Sequence, residues 1–168
     1  NGLLDIKSLS GNTSGIFTVG DNTDIGSSTH YDLLFKTIKN VFDDNIPNIY
    51  YTMGNHDYMY FKEDIGGMNE AIEYFILRTN MKDKYYSFDF NGDKVISLSS
   101  DIKTTPGGIN EEQFNWFKNE LKNASKDKFI YIYLHQPLYN TVAGTLPGEN
   151  NHGIDNVGRE IVELLKDY

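Results

Sequence analysis

Three short apolar segments, separated by amphipathic stretches, constrain the fold of this chain most. Residues 15–19, 49–53 and 129–134 are continuous runs of mainly β-branched and aromatic residues, which is typical of buried strands. Between the first two segments, apolar residues recur at helical spacing over 28–42. Strands that alternate with helices in this way predict an α/β fold with parallel strands.

The middle of the chain predicts an additional, antiparallel element. Residues 85–90 and 94–99 flank Asn91-Gly92, the strongest short-range signal for a β-hairpin. Further helices are predicted over about 68–78, 111–124 and 157–165. Because the hairpin adds an antiparallel pair to a parallel pattern, we expect one mixed sheet or two sheets.

The composition excludes several classes of function. The chain has 168 residues and a net charge of −9, with 24 acidic side chains against 15 basic ones. This charge argues against binding to a nucleic-acid backbone or to an anionic membrane surface, both of which require a basic face. No apolar run reaches the roughly 18 residues that a membrane span needs. Cysteine is absent, so disulfides, zinc-thiolate sites and a cysteine nucleophile are excluded.

Polar side chains follow each of the three apolar segments. Asp21 follows the first, Asn55, His56 and Asp57 follow the second, and His135 ends the third. Ligands of open α/β sheets bind beyond the carboxyl ends of the strands. Oxygen and imidazole donors without thiolates suit divalent Mn, Fe, Zn or Mg. We therefore expect these side chains to converge at one edge of a sheet and to form a metal or phosphate site.

Each of these residues also has an ordinary structural interpretation. An Asp after a strand is often part of an Asx-turn, an Asn after Gly is a common turn residue, and a His at a strand end is often a buried, hydrogen-bonded side chain. The joint placement of Asp21, Asn55 and His135 at three strand ends favours the site over these separate roles.

Four segments resemble the motifs of the calcineurin-like metallophosphoesterases. Residues 20–24, Gly-Asp-Asn-Thr-Asp, resemble the GDxxD segment, and residues 54–57 match GNH[DE] in full. Residues 133–137 resemble the strand of this family that ends in HxP, and residues 113–121 resemble its QxxWLxxxL helix. The order and spacing also agree, over about 15–168.

The resemblance implies an α/β/β/α sandwich that hydrolyses phosphoesters with two divalent metal ions. Asp21 resembles the carboxylate that bridges the two ions, and Asn55 and His135 resemble ligands of the second ion. His56 resembles the histidine that contacts the phosphoryl group and assists the leaving group, with Asp57 as its orienting partner. In such sites the ions lower the pKa of bound water and neutralise the phosphoryl oxygens.

Two segments of the family pattern, DxH and GHxH, do not occur in this sequence. Their places in the pattern lie just outside residues 1–168, so we expect a single, partial metallophosphoesterase domain that is truncated at both ends. An incomplete first metal site predicts weak activity or none for this chain alone. Exposed sheet edges predict marginal stability or self-association.

The predicted substrate is a small-molecule or nucleotide phosphoester. Tyr58, Tyr60 and Phe61 either stack on an aromatic group of the substrate or pack beneath the loop. The main alternative function is a non-catalytic phosphoesterase-like domain that binds a metal, a nucleotide or a protein. A doubly wound nucleotide binder and a Ser-His-Asp hydrolase are disfavoured, because the sequence contains no GxGxxG, P-loop or GxSxG segment.

Overall fold

The computed structural model describes residues 2–9, 13–61, 66–102, 107–146, 153–154 and 157–168. The helices are α1 (Gly2–Leu9), α2 (Ser28–Phe42), α3 (Gly67–Thr79), α4 (Glu111–Lys122) and α5 (Gly158–Leu165), with a short 3-10 helix at His56–Tyr58. The strands are β1 (Ile16–Phe17), β2 (Ile49–Tyr50), β3 (Tyr86–Phe90), β4 (Asp93–Ser97) and β5 (Ile130–Tyr133). Within these ranges, no helix is both long enough and apolar enough to cross a membrane.

The strands form two sheets. In the first, β1 pairs with β2 in parallel; in the second, β4 pairs antiparallel with β3 and parallel with β5. The hairpin is confirmed: Asn91 and Gly92 both have positive φ, as a two-residue hairpin turn of type I′ requires.

The expectation that the site lies at the edge of one sheet is wrong. β5 pairs with β4 rather than with β1 or β2, so the site lies where two sheets meet.

A helical layer covers the outer face of each sheet. The apolar faces of α2 and α3 bury Tyr31, Ile38 and Phe75 in a core on the first sheet. The faces of α4 and α5 bury Phe117 and Ile161 in a second core, on the second sheet. Each helix presents one apolar stripe, because its apolar residues recur every three or four positions.

Stacked aromatic rings fill the space between the two sheets. Phe17 of the first sheet stacks on Tyr50 and on Tyr133, with 4.8 Å between ring centroids in both pairs. Tyr50 in turn stacks on Phe88 of the hairpin at 4.6 Å. Ring pairs of this kind contribute about 0.5–1.5 kcal/mol beyond their area burial. With helices outside and two sheets inside, the predicted α/β/β/α sandwich is confirmed.

Hydrogen bonds hold the two sheets together at one end. The hydroxyl groups of Thr52 and Ser97 are 2.7 Å apart, just beyond β2 and at the end of β4. One step further, the backbone N–H of Ser100 donates to the carbonyl oxygen of Met53 at 3.0 Å. The carboxyl ends of strands from both sheets therefore lie side by side, and the loops that follow them share one surface.

Strand β5 is an edge strand within the described part of the chain, since it pairs there with β4 alone. Two aromatic side chains beside this edge are exposed, Phe129 at 72% and Tyr131 at 47%. An open edge with apolar neighbours is a template for pairing with another chain. Self-association through this edge stays a prediction.

Candidate functional site

The loops beyond the strands bring a carboxylate and two imidazoles together. Oδ2 of Asp21 lies 3.1 Å from Nε2 of His135 and 4.0 Å from Nε2 of His56. Asp21 follows β1, His56 opens the 3-10 helix that follows β2, and His135 follows β5. The three side chains are partly exposed, at 32%, 39% and 22%, so solutes reach them from solvent.

The backbone of Asp21 is in the left-handed region, at φ +47°. This conformation costs free energy for residues other than glycine, although Asp and Asn tolerate it better than most. Two glycines allow the close approach of the loops around Asp21. A β-carbon at Gly54 would overlap the backbone nitrogen and Oδ1 of Asp21, and a β-carbon at Gly20 would lie 2.6 Å from the imidazole of His135.

Backbone carbonyls orient both imidazoles. Nδ1 of His135 lies 2.8 Å from the carbonyl oxygen of Val19, and Nδ1 of His56 lies 2.7 Å from that of Asp24. A carbonyl only accepts hydrogen bonds, so each Nδ1 carries a proton, and in the neutral form of each ring the lone pair is on Nε2. Both Nε2 atoms lie near Oδ2 of Asp21. Two lone pairs and an anion repel one another unless a proton or a cation lies between them.

Asp57 connects the loop after β1 to the loop after β2. Its Oδ2 accepts from the backbone N–H of Gly54 and the side-chain amide of Asn22, both at 2.9 Å, and from the backbone N–H of Asn22 at 3.3 Å. Its Oδ1 accepts from the backbone N–H and the hydroxyl of Thr23, at 3.0 and 3.1 Å. Burial raises the pKa of the Asp57 carboxyl, although these hydrogen bonds act to lower it.

The resemblance implies that Asp57 orients His56, and the structure gives these side chains different partners. The carboxylate of Asp57 is 1% exposed and is turned under the loops, where five donors occupy its two oxygens. His56 is oriented instead by Asp24, whose carbonyl oxygen is the hydrogen-bond partner and whose Oδ1 lies 3.8 Å from Nδ1. A catalytic role for Asp57 stays a prediction.

Four residues with clear roles in the site were not singled out in the sequence. Asn22, Thr23 and Asp24 occupy the variable positions and the last position of the GDxxD segment, and Gln136 occupies the variable position of HxP. The only sequence signal for them was their membership of these motifs. The side-chain amide of Gln136 donates to Oδ1 of Asn55 at 2.9 Å, so Asn55 contacts the second sheet.

The aromatic residues after the GNHD segment differ in burial. Tyr58 and Phe61 are 4% and 8% exposed and pack in the first core, whereas Tyr60 is 50% exposed. Burial, with a smaller contribution from the nearby charges of Asp21 and Asp101, raises the pKa of Tyr58 to about 12. Of the three rings, Tyr60 is therefore the one that remains available for stacking on a substrate.

The donors in this site fit a divalent cation in part. A carboxylate and an imidazole within 3.1 Å of each other, with Nδ1 of the imidazole bound to a carbonyl, resemble one side of a metal site. The ranges that the structure describes contain no cluster of three or more His, Asp or Glu side chains arranged to hold a metal. Asp21 and His135 thus supply two donors, fewer than the four or more that bound divalent ions take.

Replacing Asp57 with Asn should destabilise the protein by about 2–3 kcal/mol, because one acceptor becomes an NH₂ group that faces backbone N–H donors. Urea denaturation of both proteins measures this loss. Asp89→Asn is the matched control, since Asp89 is exposed on β3, and its effect should stay within about 0.5 kcal/mol. Equal urea midpoints for Asp57→Asn and the unsubstituted chain would contradict the connecting role.

Similarity to known proteins extends over most of the chain. The family model described as calcineurin-like phosphoesterase matches residues 6–168. A curated relative from Arcobacter nitrofigilis, named "Probable glycerophosphodiester phosphodiesterase GpdQ", is 28% identical over 138 residues. The alignment covers 82% of this chain and 46% of that relative, so the chain spans less than half of the relative's length. Both findings support a phosphoesterase. Because the family model covers almost the whole sequence, the chain belongs to the calcineurin-like phosphoesterase family.

Proposed function

We propose that this chain forms part of a metal-dependent phosphoester hydrolase, a phosphatase or phosphodiesterase. The observation that supports this function best is the arrangement around Asp21. Two imidazoles, each held through Nδ1 by a backbone carbonyl, place Nε2 atoms 3.1 and 4.0 Å from one carboxylate oxygen. This arrangement suits a cation at Asp21 and a phosphoryl group beside it.

In this proposal the residues divide into a cation-binding set and a proton donor. Asp21, His135 and Asn55 would hold a divalent ion of Mn, Fe, Zn or Mg, and family members of this type use two ions. A bound ion supplies Lewis acidity, which neutralises phosphoryl oxygens and lowers the pKa of water. Of Asp21, His135 and His56, His56 has the most exposed side chain, at 39%. With a second proton on Nε2, its ring would act as the acid that donates to the leaving oxygen.

The proposed substrate is a small phosphoester. The net charge of −9 repels polyanions, which disfavours nucleic acids as substrates and leaves small esters, including nucleotides. The name of the curated relative points to diesters of phosphate with glycerol, and we extend this to the present chain as a proposal. Tyr60, the exposed ring that follows the GNHD segment, would pack against the alcohol or base of such an ester.

Hydrolysis of p-nitrophenyl phosphate and bis(p-nitrophenyl) phosphate with added Mn²⁺ tests this function. The 168-residue chain should turn over slowly or not at all, because the described residues supply too few donors for two ions. A longer protein that adds DxH and GHxH segments should bind two ions and be active. If that protein binds two ions and hydrolyses neither ester nor a glycerophosphodiester, the non-catalytic binding domain replaces the hydrolase.

The non-catalytic binding domain is the second candidate, and the small number of metal donors among the described residues favours it. Such a domain would bind Mn²⁺ or a nucleotide without turnover. Flanking gene sequence separates the two candidates directly, since DxH upstream and GHxH downstream support the hydrolase.

A further inference from the structure

A buried glutamine joins the two sheets at the edge of the site. Nε2 of Gln136 donates to Oδ1 of Asn55 at 2.9 Å, and Oε1 of Gln136 accepts from the hydroxyl of Ser100. Gln136 is 4% exposed and Ser100 is 2% exposed, so water does not compete freely for these bonds. Asn55 follows β2 of the first sheet, whereas Gln136 and Ser100 follow β5 and β4 of the second.

The two hydrogen bonds of Gln136 run in one direction, from the Ser100 hydroxyl as donor to the Asn55 oxygen as final acceptor. The amide of Gln136 has its oxygen on one side and its NH₂ group on the other. Since the oxygen takes the hydroxyl of Ser100, the NH₂ group faces Asn55. Asn55 must then present its own oxygen, because a turned amide would set two NH₂ groups against each other in a poorly hydrated space.

Gly107 holds the amide of Gln136 in place. A β-carbon at Gly107 would lie 2.6 Å from Nε2 of Gln136, so bare backbone lies against the amide and limits its rotation. The neighbouring Ser100 is fixed in turn, because its backbone N–H donates to Met53 at 3.0 Å. The oxygen end of the glutamine is thus bound to a residue whose backbone is itself held.

We propose that Gln136 is a positioning residue that fixes the amide of Asn55 with its oxygen available to a divalent cation. The carbonyl oxygen of Asn55 has two lone pairs, of which Gln136 takes one and leaves the other for a cation. This inference rests on the proposed function, in which Asn55 is a metal ligand. It adds Gln136, which follows a strand of the second sheet and would not contact the ion directly.

Mn²⁺ titration of Gln136→Met, in a protein that contains this chain with DxH and GHxH segments, measures the effect of Gln136 on cation binding. Methionine keeps the length of the side chain and removes the amide, so we expect the Kd for Mn²⁺ to rise about 10- to 100-fold, as for other residues that orient ligands. Gln136→Glu keeps the shape and should weaken binding at least as much at pH 7, because an ionised carboxylate cannot donate to Asn55. This second variant serves if the methionine variant does not fold.

Gln113→Met is the matched control. Gln113 is fully buried, and its amide also forms two hydrogen bonds, to the backbone N–H and carbonyl of Ser99 at 2.8 and 3.0 Å. Loss of these bonds should lower the melting temperature by a similar amount to that in Gln136→Met. The Kd for Mn²⁺ should change less than twofold, since Gln113 contacts Ser99 rather than Asn55.

The side-chain amide NMR signals of Asn55 give a readout that needs no metal. In Gln136→Met these signals should shift and their protons should exchange faster, whereas Gln113→Met should leave them unchanged. Unchanged Asn55 signals in Gln136→Met, or an unchanged Kd for Mn²⁺, would overturn the positioning role while leaving the proposed function intact. If the Asn55 signals respond and the unsubstituted chain with its flanking segments binds no Mn²⁺, the fixed amide stands and the metal-dependent function is overturned.

Discussion

Asp21→Asn should abolish phosphoester hydrolysis and raise the Kd for Mn²⁺ by at least about 100-fold. The carboxylate oxygen that lies near both His135 and His56 is lost, and an amide carries no charge to hold a cation between them. The fold should persist, because Asn tolerates the left-handed backbone, at φ +47°, that Asp21 adopts. Turnover is measured in a protein that contains this chain with DxH and GHxH segments, and Mn²⁺ binding by calorimetry in the same protein.

Asp43→Asn is the matched control for this substitution. Asp43 is also an aspartate with a positive φ, +54°, but it lies after the last turn of α2. Its contact with Lys7 is an exposed ion pair with an N–O distance of 3.8 Å, which contributes little to stability. Activity and Mn²⁺ affinity should therefore match those of the unsubstituted protein. An Asp21→Asn protein that keeps both properties would remove Asp21 from the site.

His56→Ala should slow turnover by about 100-fold or more and change the Kd for Mn²⁺ only a few-fold. The imidazole of His56 lies farther from Asp21 than the imidazole of His135 does, and it is more exposed. This position suits a group that donates a proton to a leaving oxygen. Loss of a positioned general acid typically costs 10²- to 10⁴-fold in rate. Steady-state kinetics at saturating Mn²⁺ separates this loss in kcat from a loss of metal.

His135→Ala provides the contrast. Its Nε2 is 3.1 Å from Asp21, so its removal should weaken Mn²⁺ binding and reduce turnover together, with partial recovery of the rate at high Mn²⁺. If His56→Ala weakens Mn²⁺ binding as much as His135→Ala does, His56 is a ligand rather than the proton donor.

The local elements were largely predictable from the sequence. Apolar spacing predicted a helix over residues 28–42, which is the observed range of α2, Ser28–Phe42. Asn91-Gly92 predicted the hairpin, because few turn types fit two residues with positive φ. The strands were predicted less well. The apolar run at residues 15–19 contains only a two-residue strand, Ile16–Phe17. Both strand residues are half-buried and Val19 is 55% exposed, so the run determined neither the length of the paired ladder nor the predicted full burial.

The residues of the candidate site were also visible in the sequence, because the chemistry of carboxylate, amide and imidazole groups at strand ends depends on residue type and order. Family membership followed from the same segments, and the family match confirms it. Local patterns of this kind identify which side chains carry chemistry. They do not say which atoms of those side chains meet.

Those contacts were decided by tertiary structure alone. The sequence could not show that β5 pairs with β4, since a buried strand has the same composition beside any neighbour. It could not show that Asp57 binds Asn22 and Thr23 while the carbonyl of Asp24 orients His56. Nor could it show that Gln136 reaches Asn55, 81 residues earlier in the chain. Hydrogen bonds between such distant residues exist only after the sheets have paired and packed, so the periodicity of any one segment carries no information about them.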